Sequence, residues 1–167
     1  VPIMLYNVPG RTGTNVLPET VAELAKTPNI VAIKEASGNI EQVSQIRSLC
    51  DITILSGDDA LTLPMMAVGA SGVVSVAANV VPAQVQAMCA EFDKGNLGGA
   101  QRIHYELFPL FKALFLETNP MPVKALLAKI GLIENVLRPP LTPMREEPFT
   151  KLLKTFEQVS APQVGVR

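Results

Sequence analysis

The sequence predicts an α/β fold: the second half (strands 5–8) of a (β/α)8 TIM barrel over residues 1–95, followed by a C-terminal α-helical domain over residues 96–167. Three observations lead there. Four short apolar runs rich in β-branched residues begin at Ile3, Ile30, Ile52 and Val73, at steps of 27, 22 and 21 residues. Each gap holds a helical pattern, and strand–helix alternation at that period makes βαβ units with a parallel sheet. From Pro82 onward no strand signal returns. An open four-stranded parallel sheet would leave two apolar edges, and no G-x-G-x-x-G turn follows any run, which argues against a dinucleotide fold. A repeat of this length fits instead a barrel of eight such units, which typically runs to about 250 residues. The chain opens on Val1 and enters a strand at once, so it is expected to be cut from something longer.

Strands are expected over residues 2–7, 30–35, 52–56 and 72–76. The first gap ends in a helix over 17–26, with Pro18 at a first helical position and Val21, Leu24 and Ala25 at i, i+3, i+4. Residues 40–49 repeat the device with Ile40, Val43, Ile46 and Leu49 in steps of three. The segment 59–68 is apolar nearly all round, which suits a buried helix that Pro64 kinks or divides. Beyond it, helices are expected over 82–94, 97–117, 121–130 and 147–159. The first of these fits the barrel's last helix and the others a helical appendage. Ile103, Leu107, Leu110 and Leu114 form a packing stripe on the longest, facing the barrel or a partner subunit.

Composition narrows the function classes. The chain of 167 residues is 48% hydrophobic with a net charge of −1, so neither disorder nor a basic nucleic-acid face is indicated. Its apolar runs are shorter than a membrane span, and no signal-peptide pattern opens it. Cys50 and Cys89 lie in no metal-type spacing and read as two buried free thiols, which points to the cytoplasm.

Barrel enzymes place their working groups at the carboxyl ends of strands. Here those ends are Tyr6-Asn7, Lys34-Glu35, Ser56-Gly57-Asp58 and residues 76–79. Lys34 closes an apolar run that should be buried on both faces, and it alternates with Val31, Ile33 and Glu35, which point the other way. Apolar surroundings disfavour an ammonium, and only the neutral amine attacks a carbonyl. The bland alternative is a lysine that snorkels into water. Tyr6 ends the neighbouring run, so a phenol would stand beside the amine and could move its protons; a core aromatic is the competing reading. Arg11, held between Pro9-Gly10 and Gly13 in what reads as a tight turn, suits bidentate capture of a carboxylate, or is an ordinary surface arginine. Asp59 reads as a helix N-cap, Asn79 as a loop-backbone partner, and Glu35 as a residue paired in a neighbouring layer. His104, in mid-helix, and Lys124, in the appendage, read as structural.

Taken together, YNVPGRTG (6–13), KEASGN (34–39), SGDD (56–59), GVVSVAANV (72–80) and NPMPVK (119–124) resemble, in order and spacing, the dihydrodipicolinate synthase family of the pyruvate-dependent class I aldolases. The resemblance runs from Val1 to about Pro143. It implies that Lys34 forms a Schiff base with pyruvate and that Tyr6 shuttles protons during imine formation and cyclisation. Arg11 would hold the carboxylate of aspartate semialdehyde, while Gly57 and Val74 line the pyruvate pocket and Thr12 and Gly13 shape the Arg11 loop. Val74 stands where the family more often has Ile. The product would be 4-hydroxy-tetrahydrodipicolinate, in diaminopimelate and lysine biosynthesis. No cofactor or metal is implied, because the covalent imine is the electron sink. Partners implied are the two substrates and a homotetramer, a dimer of dimers, with neither nucleic acid nor membrane. A threonine of the proton relay, a second tyrosine lent by a neighbouring subunit and the lysine feedback site fall in a half-barrel absent here. This chain by itself is therefore expected to be catalytically dead. A related aldolase acting on N-acetylneuraminate or keto-deoxy sugar acids is the alternative, and Arg11 discriminates: a carboxylate-bearing aldehyde needs it, whereas a polyol aldehyde needs hydroxyl partners. An inactive scaffold fragment is the other.

Overall fold

Three parallel strands, β1 (Ile3–Asn7), β2 (Ile30–Glu35) and β3 (Thr53–Ser56), form one sheet in the order β1-β2-β3. This computed structural model describes residues 1–160. Its packing separates a first unit, Val1–Ser75, from a second that begins at Val76. The first unit also holds α1 (Pro9–Thr12), α2 (Pro18–Leu24), α3 (Ile40–Leu49) and α4 (Thr62–Ala67).

Alternation along the strands decides the faces. Leu5, Ile33 and Ile54 turn towards the helices, where Val21, Val43, Ile46 and Met65 complete the core. Each such apolar side chain, taken fully out of water, stabilises the unit by roughly 1.5–3 kcal/mol. The other face carries Met4, Tyr6, Ala32, Lys34, Thr53 and Leu55. The β1–β2 register shifts between Ile3, paired with Ile30, and Met4, paired with Ala32, so Val31 is passed over as a bulge.

Of the four expected strands, the last is not one. Only a single parallel bridge, Ser56 with Val73, joins residues 72–76 to β3. The run does lie alongside: Ser56 N donates to Gly72 O and Val74 N to Ser56 O, both at 2.8 Å. It fails to become a strand because Gly72 takes φ +147°, outside the range of extended L-residues, and Val76 already has helical angles (φ −80°, ψ −44°). The segment 59–68 also differs in detail. A 3-10 turn, Asp59–Leu61, precedes α4, which puts Pro64 at the third helical position, where its missing N–H is no loss. The cap is Asp58 rather than Asp59: its carboxylate accepts from Ala60 N at 2.8 Å, while Asp59 is buried.

The second unit is helical: a 3-10 turn (Ala77–Asn79), then α5 (Pro82–Asp93), α6 (Leu97–Ala113), α7 (Met121–Lys129) and α8 (Glu146–Ser160). Helix α6 buries Leu107 and Leu110, with Leu114 following at its C-cap, and it packs between α5 and α8. The stripe is thus covered within the chain's own helices. Asn79 Nδ2 donates to Val76 O at 3.0 Å, as expected of a loop-backbone partner. The change of packing unit falls at Ser75, while the expected end of the barrel half lies at residue 95. Residues 161–167 of the expected helical domain lie outside the described residues. No helix among the described residues is long and apolar enough to cross a membrane.

Candidate active site

In-register pairing brings the two sequence-predicted catalytic residues together. Tyr6 pairs with Lys34 and Lys34 with Leu55, so all three share a row on the face that the helices leave uncovered. The Lys34 Nζ lies over the Tyr6 ring, 4.2 Å from its centroid. That is within reach of the ring's negative face. Among the described residues Lys34 makes no ion pair, so its nitrogen is not committed to a carboxylate.

The surroundings differ from expectation in one respect. A lysine enclosed by apolar walls was expected, but the face is open: Tyr6 is 49% and Met4 46% exposed, and Lys34 itself is half-buried. The reason is that β1 is the last strand of this sheet, and nothing in the first unit lies over its uncovered face. A cleft of about 500 Å³ does exist in this unit, between Ala25, Ile30, Leu49 and Ile52, but at the amino-terminal end of the strands, away from Lys34.

Gly57 follows β3 and is fitted against the lysine stem. A Cβ built there would stand 3.0 Å from Lys34 Cε, 3.1 Å from Lys34 Cγ and 2.6 Å from Ala36 Cβ. The Gly57 N–H donates to Glu35 O at 2.7 Å, tying this turn to the end of β2. Val74 is attached by its main chain to Ser56, one residue before Gly57. Gly57 thus sits against Lys34, and Val74 beside the carboxyl end of β3.

Arg11 lies on a single helical turn, α1, that reads in the sequence as a plain turn. Pro9 opens it and Gly13 closes it at φ +73°, donating its N–H to Pro9 O at 2.9 Å. Thr12 Oγ1 donates to Thr14 O at 2.9 Å, which holds the exit of the turn. Arg11 is exposed and, among the described residues, makes no ion pair. A guanidinium displayed this way is free to take a carboxylate.

A buried polar cluster on the opposite side of the sheet escaped the sequence reading. Asn7, Glu35 and Ser56 form the in-register row behind Tyr6, Lys34 and Leu55, and all three are buried. Glu35 Oε2 accepts from Asn7 Nδ2 at 2.9 Å and from Gln42 Nε2 at 3.1 Å; Glu35 Oε1 accepts from Ser37 N at 2.7 Å. Asn7 also donates to Asn15 Oδ1 at 2.8 Å and accepts from Val16 N at 3.0 Å. Asn15 Nδ2 donates to Gln42 Oε1 at 2.8 Å. Glu35 was expected to point away from Lys34 and pair with another layer, and it does. The signal for the rest was available: two polar residues, Asn7 and Glu35, each directly following a proposed catalytic residue at a strand end.

The remaining candidates are structural. Lys124 donates to Val136 O, and His104 is buried in α6 among Tyr105, Phe108 and Phe111. Cys50 and Cys89 are free thiols, half-buried rather than fully buried. No cluster of metal-ligating side chains occurs among the described residues.

Comparison with known proteins identifies what the chain as a whole resembles. Residues 1–159 match the model of the dihydrodipicolinate synthetase family. A 4-hydroxy-tetrahydrodipicolinate synthase of Synechococcus elongatus is 56% identical over 149 residues, covering 88% of this chain and 50% of the relative. A solved structure described as a monomeric dihydrodipicolinate synthase variant superposes with a TM-score of 0.91 at 45% identity, over 95% of this chain and 55% of that one. The chloride-inhibited enzyme from Acinetobacter baumannii, solved with pyruvate, gives 0.90 at 37% identity, over 95% and 55%. The chain spans about half the length of the proteins it matches.

Proposed function

Because this chain belongs to the dihydrodipicolinate synthetase family, we propose that it is the pyruvate-binding half of a 4-hydroxy-tetrahydrodipicolinate synthase, strands 5–8 of a (β/α)8 barrel with a helical appendage. Lys34 attacks the keto carbon of pyruvate and loses water to give an imine. Loss of a methyl proton turns the imine into an enamine, whose carbon attacks the aldehyde of aspartate semialdehyde. The semialdehyde's own amine then displaces Lys34 as the adduct cyclises. Tyr6 moves the protons of imine formation and cyclisation, and Arg11 pairs with the semialdehyde carboxylate. Gly57 and Val74 shape the pyruvate pocket. The imine stores the electron pair itself, so the reaction uses no cofactor. The open face over Tyr6 and Lys34 is where the preceding half-barrel supplies the missing wall. The protein acts in the cytoplasm on these two small molecules, as a homo-oligomer, with neither nucleic acid nor membrane as partner.

One observation carries this reading: an amine without a carboxylate partner, 4.2 Å from the centre of a phenol ring, on an accessible sheet face. Its test is covalent trapping. Pyruvate with borohydride should add one reduced pyruvyl group at Lys34, located by peptide mass, and none in Lys34→Ala. A folded chain that gains no adduct overturns the proposal.

A further inference from the structure

The buried cluster behind the site joins two segments that carry different functional side chains. Arg11 stands on the arm that leaves β1, and Lys34 on the end of β2. Among the described residues, the side-chain hydrogen bonds between them run through Glu35: directly to Asn7, and through Gln42 to Asn15 and Val16 at the far end of the arm. Asn7 closes the near end by accepting from Val16 N, so both ends of the Arg11 arm converge on one carboxylate. Glu35 is 1% exposed and its two oxygens take three donors, Ser37 N, Asn7 Nδ2 and Gln42 Nε2. A buried acceptor cannot exchange such partners for water, so these bonds hold geometry rather than merely decorate it.

We propose that Glu35, acting through Asn7 and Gln42, is a positioning residue that fixes the Arg11 arm against the strand end bearing Lys34. This rests on the reading of Lys34 and Arg11 given above. The same carboxylate sets the Tyr6–Lys34 pair, because the Asn7–Glu35 bond spans β1 and β2 one residue beyond it on the opposite face. Glu35→Gln keeps the shape but replaces one acceptor oxygen with a donor, so either Ser37 or the Asn7–Gln42 pair loses its partner. The double variant Asn7→Asp with Glu35→Gln reverses the polarity of the central bond: the carboxylate is now on β1 and the amide on β2, and Asn15 and Gln42 can turn their amides to match, giving up only the longer Gln42 Nε2–Val16 O bond of 3.3 Å.

The test reads the arm directly, by tryptic cleavage after Arg11 in the whole chain, alongside pyruvate trapping at Lys34. Glu35→Gln should speed cleavage after Arg11 by about tenfold relative to cleavage at Lys154, and the double variant should return it to within about twofold of wild type. Unchanged cleavage in Glu35→Gln overturns the proposal. So does an equal rise at every site, which reports general loosening, and so does a double variant no better than the single one. Should Glu35→Gln not fold, Gln42→Ala removes the link from the α3 side and is read in the same way. The two readings fail separately: a wild-type chain that traps no pyruvate overturns the aldolase reading, whatever the protease shows, whereas trapping with unchanged cleavage overturns the positioning role alone.

Discussion

Gly57 has no side chain, and the space that one would need is already filled. A Cβ would come within 2.6 Å of Ala36 Cβ and 3.0 Å of Lys34 Cε. Ala36 is held by its N–H, which donates to Asn7 O at 2.8 Å, so the turn at residue 57 must shift and the flexible lysine stem beside it must give as well. Gly57→Ala is therefore expected to push the Lys34 nitrogen off the Tyr6 ring and to lower the rate of pyruvate trapping by about tenfold or more, at a stability cost of about 1–3 kcal/mol for overpacking. Trapping kinetics and a thermal melt on the same sample check it; trapping at the wild-type rate would show that the stem has room to spare. Tyr6→Phe separates the phenol's two contributions at the same place. The ring that Lys34 lies over is kept and the proton carrier is lost, so trapping should slow by about a hundredfold, the scale of one general acid–base group, while the fold is untouched. An unchanged rate would remove Tyr6 from the chemistry.

Helices and strands carry their own consequences. In α6, His104 packs edge-on to Tyr105 at 5.4 Å and is buried, and that burial lowers its affinity for a proton. The unfolded chain, with its imidazole near the ordinary value of about 6.5, takes up the proton first as the pH falls. The unfolded state then binds more protons than the folded one, so stability declines as pH drops below about 6.5 and levels off below the lower folded value. Melting temperatures from pH 7 to pH 5 should show this decline in wild type and a flatter profile in His104→Gln; parallel profiles would assign the acid sensitivity elsewhere. Most elements of this kind are legible in the sequence because one periodicity dominates them. Residues 30–35 and 40–49 form a strand and a helix over the expected spans, since a short β-branched apolar run and apolar residues in steps of three each carry one dominant signal. Where two signals compete, legibility fails. Pro9, Gly10 and Gly13 read as turn residues, yet Pro at a first position and Gly at an αL cap also bound a one-turn helix. Gly72, at φ +147°, opens a run that hydropathy alone makes a strand. In the candidate site, the pairing of Tyr6 with Lys34 at neighbouring strand ends was legible in the sequence. The Asn7–Glu35–Gln42 cluster was not, because its members come from three elements and meet only once register is set.

At the scale of the molecule, the first unit presents a sheet face that its own helices do not cover. Met4 and Tyr6 are about half exposed there, and β1 is the last strand in the order, with one edge unpaired. Parallel sheets are stable when both faces are covered, and an apolar face with a free edge invites another strand. The relatives carry about as much sequence again as this chain matches. On the proposed half-barrel reading, a separately produced amino-terminal half of a family member should pair with β1, cover Met4 and Tyr6, and close the wall over Lys34. Mixing the two polypeptides is expected to produce turnover of pyruvate and aspartate semialdehyde that neither shows alone, with half-saturation at a definite partner concentration. Met4→Glu places a charge on the face to be buried and should weaken that association by about a hundredfold or more, since a buried unpaired carboxylate costs several kcal/mol, while leaving the isolated chain folded. Lys34→Ala should associate as wild type does and give no turnover. Association of the wild-type halves without turnover, in a chain that traps pyruvate, would mean that the uncovered face is not where the missing wall belongs.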